Sequence, residues 1–167
     1  MSSFFGLCLL VLFFTDYDHQ LLPDAVTYPA LAIGLAAAPA NPFLGDGALH
    51  RLWLAAAGAA LGAGVLWAIG AVYERLRGVE AMGLGDVKMM AMVGAFGGPI
   101  GVLFTLFAAS TVGALFGLAM IPLRGKTLGD ALPFGCFLAP AAMAALLIGR
   151  SAVDGYLRYV GGIAGGP

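Results

Sequence analysis

Apolar residues fill most of the chain in six long stretches, and polar residues gather in the short segments between them. Because these stretches are rich in Ala, Leu and Gly and do not alternate between apolar and polar residues, they predict helices rather than barrel strands. The stretches are Phe4–Phe14, Ala25–Pro39, Leu49–Tyr73, Val87–Gly97, Pro99–Pro122 and Leu132–Gly149. The pattern predicts an all-α, polytopic membrane bundle of about six transmembrane helices.

The first stretch is shorter than the roughly 20 residues that an apolar helix needs to cross the hydrocarbon core. No Lys or Arg precedes it and no small-residue cleavage site follows it, so we interpret it as a retained helix rather than a signal peptide. The helix is therefore expected to continue through Thr15 and Asp16. This extension places Asp16 near the membrane boundary or in a wet cavity within the membrane.

The overall composition also indicates a lipid environment. Of the 167 residues, 61% are hydrophobic and 10% are charged, and the mean hydropathy is +0.97. A soluble domain carries about 25% charged residues, and a fold of this size cannot hide so much apolar surface. A soluble enzyme and a disordered chain are excluded, and membrane lipid is an expected partner. The net charge of −1 gives no basic surface for nucleic acid.

Small residues and cysteines within the apolar stretches have structural interpretations. Gly58 and Gly62 lie four residues apart on one face of the third stretch, which predicts a helix-packing face. Cys8 and Cys136 are expected to be small buried hydrophobic residues rather than a disulfide or a zinc site. We expect one transmembrane domain over residues 1–150, followed by a short Gly-rich tail over residues 151–167.

The distribution of charge predicts the orientation of the helices. If the 15–24 loop is cytoplasmic, the cytoplasmic side carries more Lys and Arg than the outer side, in agreement with the positive-inside rule. The inner basic residues are Arg75, Arg77, Lys88, Arg124 and Lys126, and the outer ones are Arg51, Arg150 and Arg158. Most acidic residues also fall on the inner side. Because acidic residues hardly affect topology, this asymmetry indicates a functional origin.

Two polar segments, residues 15–29 and 80–98, contain the candidate chemistry. Each places a carboxylate, Asp16 or Asp86, at a helix end beside apolar residues, where ionisable groups are costly and are candidates for function. Two carboxylates a few ångströms apart do not both ionise readily, so one can accept a proton from water while the other donates to a carbonyl oxygen. The pair predicts acid–base hydrolysis of a peptide bond; ordinary loop acids at the lipid boundary are the alternative interpretation.

Several neighbours of the two carboxylates are candidates for binding or supporting roles. Gly83 and Gly85 precede the second carboxylate, and glycines there allow a sharp turn or the close approach of another chain segment. Asp18 either tunes the pair electrostatically or is a solvated loop acid. Asp24 is expected to cap the second helix. Lys88 either anchors its helix at the inner surface or holds the second carboxylate ionised.

Three segments of the chain resemble the type IV prepilin peptidases. Residues 16–29, DYDHQLLPDAVTYP, resemble the first signature of that family. Residues 82–88, MGLGDVK, resemble the second, the GxGD motif of membrane aspartic peptidases. Residues 132–141, LPFGCFLAPA, resemble the family's PFG segment. The resemblance follows the family's order over about residues 10–145 and makes the peptidase interpretation more specific than either acidic motif alone.

The resemblance implies that Asp16 and Asp86 are the catalytic pair of an aspartic endopeptidase that uses no metal or cofactor. It implies that residues 1–150 are a transmembrane peptidase domain with its active site at the cytoplasmic face of the bacterial inner membrane. The implied substrates are type IV prepilin or pseudopilin precursors of pilus and type II secretion systems, cleaved between a basic leader ending in Gly and an apolar helix. Bifunctional members also carry a four-cysteine zinc domain and methylate the product; without those cysteines, we expect the peptidase half alone.

Two other functions fit part of the pattern. Asp16-Tyr17-Asp18 is an Asp-x-Asp pair, which together with Asp24 and Asp86 is compatible with a Mg²⁺-dependent membrane phosphotransferase. Few basic residues lie nearby to bind phosphates, which disfavours this alternative. A proton-coupled transporter is disfavoured because the acidic residues crowd one face of the membrane and no inverted repeat is visible. Chelator treatment distinguishes the first alternative, because a carboxylate-pair peptidase needs no divalent ion.

Overall fold

A computed structural model of the chain describes residues 2–19, 21–78, 83–124 and 134–148. Within these ranges all the regular elements are helical, which confirms the all-α prediction for the described part of the chain. Two short 3-10 turns, Ala38–Ala40 and Pro42–Leu44, connect the second and third helices. The α-helices are α1 (Ser2–His19), α2 (Asp24–Ala37), α3 (Ala48–Arg77), α4 (Leu84–Arg124) and α5 (Gly135–Ile148).

Helix α1 continues beyond its apolar stretch to His19, as the shortness of that stretch predicted. The hydroxyl of Thr15 donates a hydrogen bond of 2.6 Å to the carbonyl of Val11 one turn earlier, so this polar side chain is satisfied within the helix. The extension keeps Asp16 inside regular helix. Its side chain direction is therefore set by the same helical periodicity that orients the apolar residues before it.

Helix α4 reverses direction at Gly98. This glycine has a left-handed φ of 64°, and the following Pro99 has no N–H to continue the helical hydrogen bonds. In one continuous helix Met90 and Val102 would be about 18 Å apart. A methyl group built on Gly62 of α3 would nevertheless touch both of them. The two arms of α4 therefore lie side by side, as the separate fourth and fifth apolar stretches predicted.

The end of the bundle where α4 reverses is held by polar groups of the α2–α3 connection. Asn41 is 4% exposed, and its Nδ2 donates a hydrogen bond of 2.9 Å to the carbonyl of Phe96, two residues before the break. Its Oδ1 accepts a hydrogen bond from the backbone N–H of Phe43. Arg51 donates to two carbonyls of the same connection, at 2.6 and 3.0 Å. These bonds fix the turn in α4 and so the relative positions of its two arms.

Glycines bring α3 and α4 into direct backbone contact. A methyl group built on Gly58 would overlap backbone atoms of Gly94 and Gly98, and one built on Gly62 would overlap the carbonyl of Met90. The packing face predicted at Gly58 and Gly62 is therefore confirmed. Between helices in lipid, close van der Waals packing replaces the hydrophobic effect as the main attraction, and small residues make that packing possible.

By length and composition, two helical stretches in the described ranges could cross a membrane, Ala48–Arg77 and Leu84–Ala119, and the second of them includes the reversal at Gly98. Helix α5 is apolar but shorter. Helix length and composition therefore do not confirm the predicted number of six membrane crossings. The predicted Gly-rich tail over residues 151–167 lies outside the described residues, as do Met82 and Lys126.

The α3–α4 contact leads to a prediction about stability. We expect Gly58→Ala to destabilise the folded protein by about 1–3 kcal/mol, because the added methyl group has no space between two backbones. Gly64→Ala, on the same helix, is the matched control, since nothing lies within 4 Å of its new methyl group. Thermal unfolding in detergent measures both. Equal unfolding temperatures for the two variants would contradict the packing described above.

Candidate active site

Asp16 lies at the end of the buried face of α1. The core residues of that helix, Phe5, Leu9 and Leu12, are each at most 2% exposed. They recur at intervals of three or four residues, and Asp16 is the next position along the same face. Asp16 is itself only 5% exposed. An apolar helix face thus carries a carboxylate into the interior of the bundle.

Asp86 begins the buried face of α4 in the same way. Met89, Met90 and Val93 follow at helical spacing and belong to the same core cluster as the apolar residues of α1. Asp86 is 8% exposed, and its backbone N–H donates a hydrogen bond of 3.1 Å to the carbonyl of Gly83. Its place in the first turn sets the carboxylate near the positive end of the helix dipole.

The two carboxylates come together although they are 70 residues apart in the sequence (86 − 16). The carboxylate of Asp16 is close enough to that of Asp86 to act on it electrostatically. Both side chains are shielded from water, so repulsion between two negative charges is only weakly screened. Two carboxylates placed in this way do not both ionise readily, and a pair that holds one proton offers both an acid and a base.

The start of α5 forms a third side of the site, which the sequence pattern does not predict. A methyl group built on Gly135 would lie 2.7 Å from Oδ2 of Asp16 and 2.9 Å from its Cγ. Cys136 is the next residue and is partly exposed, whereas Cys8 is buried, so the expectation that both cysteines are buried is wrong for Cys136. Oδ2 of Asp16 is enclosed and has no hydrogen-bond partner among the described residues. The sequence segment LPFGCFLAPA (residues 132–141) was the signal that could have indicated this side of the site. Nothing in its pattern shows which residue it contacts.

Lys88 binds Asp24. Its Nζ lies 2.7 and 2.9 Å from the two carboxylate oxygens of Asp24 and 5.0 Å from the centre of the Tyr28 ring. The expectation that Asp24 caps α2 is wrong: Pro23 is the N-cap residue, and no side-chain cap bond is formed. Asp24 is the first residue inside the helix, where its carboxylate faces an ammonium group instead. The ion pair connects the beginning of α2 to the beginning of α4. Because Lys88 is paired with Asp24, the interpretation in which Lys88 holds Asp86 ionised is not supported.

Of the other predicted site residues, Gly85 packs closely against Leu22, whereas Gly83 and Asp18 are exposed. Gly85 is required for close packing, since a methyl group built on it would lie 2.9 Å from Cβ of Leu22. Among the described residues, a methyl group built on Gly83 would meet only the backbone nitrogen of Gly85, at 3.9 Å, and Gly83 lacks a left-handed φ. Asp18 is exposed, because two helical steps rotate it to the other side of α1 from Asp16. No three His, Cys, Asp or Glu side chains among the described residues are arranged to hold a metal ion.

Comparison with known proteins relates the chain to one family of peptidases. Residues 3–118 match the type IV leader peptidase family. The chain is 40% identical over 153 residues to a prepilin leader peptidase/N-methyltransferase of Pseudomonas aeruginosa, covering 92% of this chain and 51% of the relative. It is 36% identical over 150 residues to the protein of that name in Xanthomonas campestris pv. campestris, covering 87% of this chain and 49% of the relative.

A third relative extends the comparison to another genus. The chain is 39% identical over 152 residues to the prepilin leader peptidase/N-methyltransferase of Aeromonas salmonicida, covering 91% of this chain and 50% of that protein. The chain thus spans about half the length of the curated relatives that it matches. No solved structure matches the chain.

The contact between Gly135 and Asp16 can be tested by stability alone. We expect Gly135→Ala to lower the free energy of unfolding by about 1–3 kcal/mol, because the methyl group overlaps the Asp16 carboxylate. Combining it with Asp16→Ala removes the overlapping atoms, so the double variant should lose less than the sum of the single changes. Gly113→Ala is the matched control, since its methyl group would meet the Phe137 ring at an ordinary 3.7 Å. Additive effects of Gly135→Ala and Asp16→Ala would contradict the contact.

Proposed function

The chain belongs to the type IV leader peptidase family, and on this premise we propose that it is a membrane-embedded aspartic endopeptidase that removes the leader from prepilin-like precursors. The observation that carries the proposal is the approach of two buried carboxylates, Asp16 and Asp86, from separate helices. Buried ionisable groups are costly in an apolar bundle, so a pair of them at one point indicates function rather than structure.

The proposed chemistry is hydrolysis without a covalent intermediate. The ionised carboxyl accepts a proton from water as the water oxygen attacks the scissile carbonyl carbon, while the protonated carboxyl donates its proton to the carbonyl oxygen. A tetrahedral diol forms. Its collapse breaks the C–N bond: the carboxyl that took the proton from water gives it to the leaving nitrogen, and the other carboxylate takes a proton back from a hydroxyl of the diol.

The absence of a side chain on Gly135 contributes to the proposed site in another way. A methyl group at this position would overlap the carboxylate of Asp16. Gly135 therefore allows the start of α5 to pack directly against the first carboxylate.

The surroundings of the pair fit a substrate with a basic leader and an apolar helix. Asp18, Asp24 and Glu74 are exposed and acidic, and they attract positive charge to this end of the bundle. The substrate's apolar helix is expected to enter sideways from lipid, with the scissile bond at the membrane boundary. In this proposal the bundle lies in the bacterial inner membrane, its six apolar stretches cross it, and the site faces the cytoplasm.

The Mg²⁺-dependent phosphotransferase receives no support from the site. An Asp-x-Asp chelate needs both carboxylates directed at one ion. Asp16 is buried, whereas Asp18 is exposed on the other side of α1. The nearby cation, Lys88, is already bound to Asp24. The arrangement therefore favours the peptidase.

The pair itself gives the main functional prediction. Asp16→Asn and Asp86→Asn should each reduce the initial rate of prepilin cleavage by at least about 10²–10⁴-fold, because an amide cannot exchange the catalytic proton. The double variant should be little worse than either single variant, since the two carboxyls act as one unit. Initial cleavage rates in detergent, with monodispersity checked for each variant, provide the measurement.

Asp18→Asn and Asp24→Asn are the matched controls for the paired carboxylates. Each replaces a neighbouring carboxylate that is exposed and lies outside the pair, so measurable activity is expected. Near wild-type cleavage by Asp16→Asn or Asp86→Asn would contradict the assignment. Loss of activity in Asp24→Asn with activity retained in Asp16→Asn would place the first catalytic carboxylate at Asp24 instead.

The proposed orientation leads to a separate prediction. A reporter fused after Arg77, at the end of α3, should report a cytoplasmic location, because this end of the bundle carries Arg75, Arg77 and Lys88. A reporter inserted near Asp46, in the α2–α3 connection, should report an external one. The opposite pattern at both positions would overturn the orientation and the cytoplasmic site with it.

A further inference from the structure

The ion pair between Lys88 and Asp24 lies beside the second carboxylate, since Lys88 follows Asp86 by two residues on α4. Nζ of Lys88 lies 2.7 and 2.9 Å from the two carboxylate oxygens of Asp24. The same Nζ lies 5.0 Å from the centre of the Tyr28 ring. Asp24 and Tyr28 are four residues apart and so lie on one face of α2. Lys88 therefore contacts two successive turns of α2.

A second contact joins the same parts of the bundle one turn earlier on α4. A methyl group built on Gly85 would lie 2.9 Å from Cβ of Leu22, just before α2, so the α4 backbone packs closely against this side chain. At about 100° per residue, Gly85 and Lys88 fall on one face of α4, and Asp86 points away from that face. The face that contacts the beginning of α2 is thus separate from the face that carries the carboxylate into the core.

These two contacts restrict the rotation of α4 about its own axis. Gly85 sets how closely the helix approaches Leu22, and the ion pair one turn later limits how far the helix can turn. A side-chain carboxylate lies about 5 Å from the axis of its helix, so a rotation of about 10° moves it by about 1 Å. A misplacement of about 1 Å in an active site can lower a rate by as much as about 10²-fold. Small rotations of α4 therefore matter for Asp86.

The exposure of the ion pair indicates an effect on position rather than on stability. The side chains of Lys88 and Asp24 are 27% and 57% exposed. Ion pairs that water reaches to this extent add little to the free energy of unfolding. Their geometry is nevertheless specific here, because one ammonium group bonds to both oxygens of one carboxylate. Loss of the pair should therefore change where α4 lies more than whether the protein folds.

We propose that Lys88 and Asp24 are positioning residues, whose ion pair sets the rotation of the first arm of α4 so that Asp86 faces Asp16. Both act through Asp86 and neither takes part in the proton transfers. The effect on catalysis rests on the proposed peptidase function. The effect on the approach of positions 16 and 86 does not, so the two can be tested separately.

Thiol crosslinking measures this approach without a substrate. The full chain carries Cys8→Ala and Cys136→Ala, which remove its two native thiols. Asp16→Cys and Asp86→Cys then provide the two thiols that a short bifunctional reagent joins. The rate of joining, followed by mass, reports how well position 86 faces position 16.

Three further variants of this chain test the role of the ion pair. Lys88→Met and Asp24→Asn should each lower the crosslinking rate several-fold, because α4 is then free to turn position 86 away from position 16. Arg75→Met is the matched control: it removes a basic side chain from the proposed inner end of the bundle that forms no ion pair among the described residues. It should leave the rate unchanged. A crosslinking rate that Lys88→Met does not alter would overturn the inference.

Kinetics then test the consequence for catalysis. Lys88→Met should lower kcat for prepilin cleavage by about tenfold with little change in KM, because the alignment of the carboxylates is impaired and substrate binding is not. Asp24→Asn should show the same loss and so keep measurable activity. The double variant should be no slower than either single variant, since the second change removes nothing further. Lys88→Arg should keep most of the wild-type rate, because a guanidinium group can also bind both carboxylate oxygens.

The outcomes separate this inference from the proposed function and from other roles of the two residues. If the wild-type chain cleaves no prepilin, the proposed function fails, while crosslinking still decides the positioning. Loss of rate in Lys88→Met but not in Asp24→Asn would show that Lys88 acts as a membrane anchor, and a higher KM alone in Asp24→Asn would show that Asp24 binds the leader. Either result would overturn the inference, as would losses of rate that simply follow lowered unfolding temperatures.

Discussion

The repulsion between two buried carboxylates constrains the rest of this bundle. Removing a carboxylate from water is unfavourable, and placing a second one beside it adds a Coulombic cost that a low dielectric hardly screens. Asp16 and Asp86 stay together because each is the terminal position of an otherwise apolar helix face that packs into one core. The packing energy of those faces holds the two carboxyls near each other in spite of this cost.

Glycine packing makes this arrangement possible. Gly58 and Gly62 allow α3 to touch the backbone of α4, which fixes the first arm of α4 and therefore Asp86. At the other end of that arm, Gly98 reverses the chain and Asn41 holds the turn. Gly135 performs the corresponding function for Asp16, since α5 can approach the carboxylate only without a side chain there. The site is thus positioned by close backbone approaches on several helices.

Much of the fold could be predicted from the sequence, because apolar stretches and small-residue spacing are local signals. The helical class, the extension of α1 past Asp16 and the packing face at Gly58 all followed from such signals. The partner of Asp24 did not, because the choice between a helix cap and Lys88 depends on how α2 meets α4. The contact of Gly135 with Asp16 was missed for a similar reason: it joins residues more than a hundred positions apart, and periodicity within one helix carries no information about it.

Thiol crosslinking between positions 16 and 86 tests most directly whether Asp16 and Asp86 lie side by side. In a chain carrying Cys8→Ala and Cys136→Ala, the pair Asp16→Cys with Asp86→Cys should be joined rapidly by a short bifunctional thiol reagent, as detected by mass. The pair Asp18→Cys with Asp86→Cys should not be joined, because position 18 lies on the other side of α1. Equal crosslinking of both pairs, or crosslinking from position 18 alone, would contradict this arrangement of the two carboxylates.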